Sequence, residues 1–123
     1  MSQGRPYRRG SMINRWVLGV FGSLLLLVGV MGFVMPGDRG SASRAPAYNV
    51  FHLFFGTLGL ALVVWGNPTA IRSFNIGFGL LDLYQALASR QHWFPVAFFR
   101  WKPADDMQHV IIGAALVAIG VFL

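Results

Sequence analysis

Apolar positions gather into four long stretches separated by short polar breaks. The first runs from Trp16 to Met35 and is closed by Pro36-Gly37; the second runs from Tyr48 to Gly66 and is closed by Asn67-Pro68. The third covers Thr69 to Ser89 and the last Met107 to Leu123. At 1.5 Å per residue, about 20 residues cross the roughly 30 Å hydrocarbon layer of a bilayer. The first stretch is too long for the apolar part of a signal peptide, which is typically about 7–15 residues. The pattern therefore predicts an all-α fold, an integral membrane four-helix bundle, with helices at about 16–35, 48–66, 69–89 and 107–123. The third stretch carries Arg72, Asn75, Asp82 and Gln85, so one of its sides should face protein rather than lipid. Residues 1–14 read as a basic, poorly ordered arm ahead of a single transmembrane domain over 15–123, and 36–47 as a Gly/Ser/Pro-rich loop. Residues 90–104 mix Trp93, Phe94, Phe98, Phe99 and Trp101 with Arg90, Arg100 and Lys102, a composition suited to the membrane–water interface.

Composition strengthens the lipid assignment. Of the 123 residues, 55% are hydrophobic and 11% charged, where soluble domains carry roughly 25% charged residues. No cysteine is present, which excludes disulfides, thiolate metal sites and thiol nucleophiles. The net charge of +6 comes from nine Arg and one Lys against four Asp, placed between the apolar runs. So placed, the cations read as topology signals and headgroup contacts rather than a nucleic-acid surface. Four helices put both termini on one side, and the basic flank of the first helix assigns that side to the cytoplasm. The expected location is a bacterial inner membrane, cytoplasmic or intracytoplasmic, with the lipid bilayer as first partner and tightly bound lipid expected.

One internal pattern stands out. The second helix opens Asn49-x-x-His52-x-x-x-Gly56 and the fourth Asp106-x-x-His109-x-x-x-Gly113, which suggests two tandem helical hairpins. The first and third helices match more loosely, Gly19 and Gly22 against Gly77 and Gly79. Asn49 and Asp106 are expected as N-caps, since their side chains can accept bonds from free amides of a first helical turn. Each Gly lies one turn below its His on the same face and lets another helix, or a flat ligand, come close. By depth, Asp82 should meet His52 and His109 in the outer third of the molecule. A lone carboxylate in lipid costs roughly 2.5–3.5 kcal/mol, so Asp82 should find a donor among the two His, Tyr84 and Gln85, or be protonated.

Three readings of this cluster stay open. In the first, Asn49, Asp82, Asp106 and the histidines form a structural polar cluster across helices. In the second, His52 or His109 is an axial ligand of a tetrapyrrole, chlorophyll or haem, beside Gly56 or Gly113. In the third, two His and Asp82 hold a metal or relay protons. Ser23 lacks a catalytic context, and the glycines at 19, 22, 29 and 32 lie inside an apolar span, so they read as helix-packing positions.

On Asn49, His52, Gly56 and Gly59, on Asn75-Ile-Gly77-Phe-Gly79, and on Asp106 with His109, the chain resembles a small bacterial four-helix integral membrane family of unknown function. The resemblance covers about residues 15–123, implies the fold and carries no activity; the short first loop and the aromatic, basic stretch depart from it. The expectation for function is a non-enzymatic accessory or scaffold subunit packing against a larger membrane complex. Phe51, Phe54, Phe55, Phe74 and Phe78 would face partner helices or cofactor tails. The alternative is a pigment- or haem-binding subunit of a photosynthetic or respiratory assembly, through His52 or His109.

Overall fold

A computed structural model describes residues 9–35 and 43–123. In chain order it contains α1 (Arg9–Val34), α2 (Pro46–Trp65), α3 (Pro68–Gln91), the one-turn α4 (Val96–Phe99) and α5 (Pro103–Phe122). The described residues form no strand. α1, α2 and α5 are long and apolar enough to cross a membrane, judged by length and composition. α3, with 24 residues, is the most polar of the long helices and buries Asn75, Asp82 and Gln85.

The helix starts differ from the sequence expectation in an instructive way. α1 begins by Arg9, so residues 9–14 belong to the helix rather than to an arm; residues 1–8 of that arm and 36–42 of the first loop lie outside the described residues. The cause is Asn14, which is buried and accepts a 3.0 Å bond from the Asn75 side chain of α3, while its own amide donates to the Gly10 carbonyl. Asn49 and Asp106 are not N-caps. α2 and α5 start three residues earlier, on Pro46 and Pro103. A proline at the first helical position loses no hydrogen bond and brings a helical φ ready-made. At the start of α3 the cap is Asn67, whose carbonyl oxygen accepts from the Ala70 amide at 2.8 Å, with Pro68 again opening the helix; at the start of α5 the Asp105 carboxylate accepts from the Lys102 amide in a capping box.

α1 packs antiparallel along α2, and α3 along α5, through seams of glycine. A Cβ on Gly56 would lie 2.9 Å from the Gly22 carbonyl, and one on Gly113 would lie 2.8 Å from the Gly79 carbonyl. In both hairpins the far end is tied by an arginine. Arg15 of α1 donates to the Val63 and Gly66 carbonyls at the end of α2, and Arg72 of α3 to the Gly120 and Val121 carbonyls at the end of α5. Those carbonyls lack helical partners and carry the negative end of the helix dipole.

These features share one register. Arg72, Phe78, Gly79, Pro103, Asp106, His109, Gly113 and Gly120 each stand 57 positions after Arg15, Phe21, Gly22, Pro46, Asn49, His52, Gly56 and Val63. The two hairpins are therefore equivalent units, placed side by side with their equivalent ends together. Phe21 and Phe78, an equivalent pair, meet edge to face at 5.3 Å between them, and Leu25 and Leu116 complete the core. Phe51, Phe55 and Phe74 pack against that core. Of the five phenylalanines expected on an outward face, Phe54 alone is strongly exposed. The outer faces instead carry Val20, Leu24, Leu27, Val30 and Phe33 of α1 with Val110 and Ile111 of α5.

Candidate functional site

Where α1 and α3 end and α2 and α5 begin, the two hairpins separate around a chamber of about 330 Å³. Its wall is built from equivalent positions of the two halves: Phe21 and Phe78, Leu25 and Asp82, Tyr48 and Asp105, Phe51 and Gln108, His52 and His109. The chamber thus draws most of its lining from matching positions of the two hairpins. Two of the five pairs are identical. In the other three, the second hairpin supplies Asp, Asp and Gln where the first supplies Leu, Tyr and Phe, so one side is aromatic and the other acidic or polar.

The side chains are fixed by bonds that cross between hairpins. The Tyr48 hydroxyl and His109 Nε2 share a 2.5 Å hydrogen bond. Asp105 Oδ2 accepts from the backbone amides of Ser43 and Lys102, both at 2.8 Å. The Ser43 hydroxyl donates in turn to the Phe99 carbonyl. That bond holds α4 and its flanks over the chamber mouth, where the rings of Phe99 and Trp101 lie 5.2 and 6.4 Å from that of Tyr48. The segment expected at the membrane interface therefore splits by direction. Phe94 and Phe98 point outward, while Phe99 and Trp101 roof the site.

Several buried polar atoms here have no protein partner. His52 is 7% exposed, its ring lies 4.2 Å from Tyr48, and its Nδ1 is unpartnered, as is Nδ1 of His109. Asp82 is 3% exposed, lines the chamber, and takes no hydrogen bond or ion pair among the described residues. Of the donors expected for it, Tyr84 is exposed and donates instead to the Phe94 carbonyl, and His109 shares its Nε2 with the Tyr48 hydroxyl.

Of the residues singled out in the sequence, His52, His109 and Asp82 come together on this chamber. Asn49, Asp106, Gly56 and Gly113 do not line it. Asn49 is buried against Gly32, with its amide donating to the Arg44 carbonyl. Asp106 borders a separate outer groove with Arg90. The open faces of Gly56 and Gly113 are filled by the neighbouring helix, which leaves no space for a flat ring there. No group of three or more His, Asp or Glu is placed to hold a metal ion among the described residues. Tyr48 and Asp105 are functional candidates the sequence reading passed over. Each stands one place before the Asn or Asp of the repeated motif, and only the 57-residue register marks them as a pair.

Leu24 of α1 and Ile112 of α5 both line the chamber. Beside it lies a groove of about 440 Å³ lined by Trp16, Val20, Ile111 and Ile119 among other apolar side chains. Phe21, Leu24 and Ile112 border both spaces. Comparison with protein-family models, curated proteins and solved structures finds no match to this chain.

Proposed function

We propose that the protein is a non-enzymatic integral membrane four-helix bundle that binds an amphipathic molecule drawn from the lipid phase. Its polar head would occupy the chamber and its tail the α1/α5 groove. The observation that carries this reading is that the two spaces are adjacent and share Phe21, Leu24 and Ile112 as lining residues. A polar pocket beside an apolar groove matches the two halves of such a molecule, and 330 Å³ is at the lower end of the roughly 300–1,000 Å³ typical of ligand sites. The exposed apolar side chains of α1, α2 and α5 would face lipid, with the polar face of α3 turned inward and both termini cytoplasmic. A tetrapyrrole on His52 or His109 draws no support from Gly56 or Gly113, whose faces are closed.

Blocking the junction tests this. Leu24 is half exposed, so Leu24→Trp should fold normally while filling the border between the two spaces. Native mass spectrometry of wild-type protein released from nanodiscs should show one retained amphiphile per chain. In Leu24→Trp and Ile112→Trp that occupancy should fall at least tenfold. Equal retention in the wild type and both variants overturns the reading.

A second reading, the accessory subunit, rests on a different face. Gly19 has open space where a Cβ would sit, and Ser23, one turn on, is exposed beside it. Small residues one turn apart let a partner transmembrane helix approach closely. Gly19→Leu should then abolish co-purification of a larger complex after gentle extraction, and a complex that survives the substitution removes this role for α1.

A further inference from the structure

The head group that the chamber takes is, we propose, a lipophilic ammonium cation, held between the Asp82 carboxyl and the aromatic wall of Phe21, Phe51, Phe78 and Tyr48. The proposal rests on the amphiphile reading above and narrows its chemistry.

The packing of the fold does not call for a carboxyl at Asp82. Its equivalent in the first hairpin, 57 positions earlier, is Leu25, which is buried in the core at the matching place. The fold therefore accepts an aliphatic side chain at this position. A carboxyl placed there among apolar groups is expensive, and intramembrane acids as a rule face the protein interior and mark ligand or ion pathways. Asp82 has no bond that would make it a structural tie, and it borders the chamber.

The other groups on the wall decide what can sit opposite it. No Arg or Lys is among the residues lining the chamber, so nothing present there neutralises the carboxylate. An anionic head would face the Asp82 and Asp105 carboxylates, and no Arg or Lys lines the chamber to offset them; Lys102 acts on Asp105 from outside the lining. A neutral carbonyl head could accept from a ring N–H of His52 or His109 or from the Gln108 amide, but it would leave the Asp82 carboxyl without a partner. A cation satisfies the carboxylate and gains from the ring faces as well. Ammonium groups are attracted to aromatic faces within about 6 Å, and more strongly where water is excluded. The rings are already clustered for this. Phe51 lies 5.8 Å from Phe78 and 6.1 Å from Tyr48, and Phe78 lies 5.3 Å from Phe21. The neighbouring groove accepts an alkyl tail, which makes a long-chain quaternary ammonium the natural probe.

The test uses the full chain in nanodiscs and equilibrium dialysis with radiolabelled dodecyltrimethylammonium, corrected with empty nanodiscs. Dodecanol, a decyl-substituted benzoquinone and dodecyl phosphate serve as neutral and anionic comparators. Wild-type protein should bind the ammonium saturably, one per chain, at least tenfold tighter than any comparator. Asp82→Asn, which removes charge while keeping shape, should lose at least tenfold in ammonium affinity and leave dodecanol binding unchanged. Phe51→Leu should reduce the preference for ammonium over dodecanol, and this arm decides alongside the wild-type comparison if Asp82→Asn does not fold. Comparators that bind as tightly as the ammonium, or undiminished ammonium binding in Asp82→Asn, overturn the cation assignment and leave the amphiphile reading in place. Absence of saturable binding for all four probes overturns both.

Discussion

Gly113→Val and Gly56→Val should each unfold far more readily than the wild type in detergent, losing on the order of 1–3 kcal/mol each, the scale of overpacking in a tight interior. The new Cβ in Gly113→Val would lie 2.8 Å from the Gly79 carbonyl oxygen, and in Gly56→Val 2.8 Å from the Leu26 amide nitrogen and 2.9 Å from the Gly22 carbonyl. In both seams the obstacle includes backbone, which cannot swing aside as a side chain would, so the helices must part and the remaining contacts of the seam loosen together. The control is built into the partner helices of the same two hairpins, α1 and α3. A Cβ on Gly19 or Gly77 meets nothing within 4 Å. Gly19→Ala and Gly77→Ala should therefore be neutral or stabilise by about 0.5–1 kcal/mol, because alanine gives up less backbone freedom in a helix. Unfolding followed by far-ultraviolet circular dichroism during titration with a denaturing detergent separates the two classes. If Gly113→Val and Gly77→Ala unfold alike, the glycine seams do not hold the hairpins together.

The contrast between these glycines shows what the sequence discloses and what it withholds. The apolar runs are legible because α1, α2 and α5 are apolar around most of their circumference, long and apolar enough to cross a membrane. For the same reason the inward face is hard to read, since a helix hydrophobic all round has no strong amphipathic signal. Phe51, Phe55, Phe74 and Phe78 look like candidates for an outer surface yet pack inward. The helix starts were misplaced because Pro46 and Pro103 read as loop punctuation, whereas each occupies the first turn of its helix. The His-x-x-x-Gly repeat was visible, but its loose extension paired Gly19 with Gly77, one place out of register. Arg15 and Arg72 would have fixed the register at 57, had they been read as helix-end donors rather than as membrane topology charges. The chamber itself was half legible. Asp82, His52 and His109 were placed together by depth alone, whereas the roof formed by Phe99 and Trp101 depends on a bond from Ser43, 56 residues from Phe99 in sequence.

That roof depends on Asp105, and Asp105→Ala is expected to destabilise the protein by about 2 kcal/mol or more. Hydrogen bonds to a charged group contribute roughly 1.5–3 kcal/mol each, and the substitution removes two, from the Ser43 and Lys102 amides. It also leaves the Ser43 amide unsatisfied beside the start of α2. Asp105→Asn keeps an oxygen where both amides point and should cost less than half as much. Tyr48, the equivalent residue in the first hairpin, reaches the other way, to His109 of α5. Tyr48→Phe removes one bond and should cost about 0.5–1.5 kcal/mol. The two side chains thus tie the hairpins reciprocally at the chamber end, as Asn14 and Asn75 do towards the other end. Breaking the Asp105 tie should act locally before it acts globally. Ser43 would no longer be anchored, its bond to the Phe99 carbonyl would weaken, and backbone amides that close α4, such as those of Phe99 and Arg100, should exchange with deuterium at least tenfold faster. Amides in the middle of α1 should be unaffected. If exchange in 96–100 is unchanged in Asp105→Ala, the roof is held by its aromatic packing on Tyr48, and the hydrogen-bonded chain from Asp105 through Ser43 is not what closes the chamber.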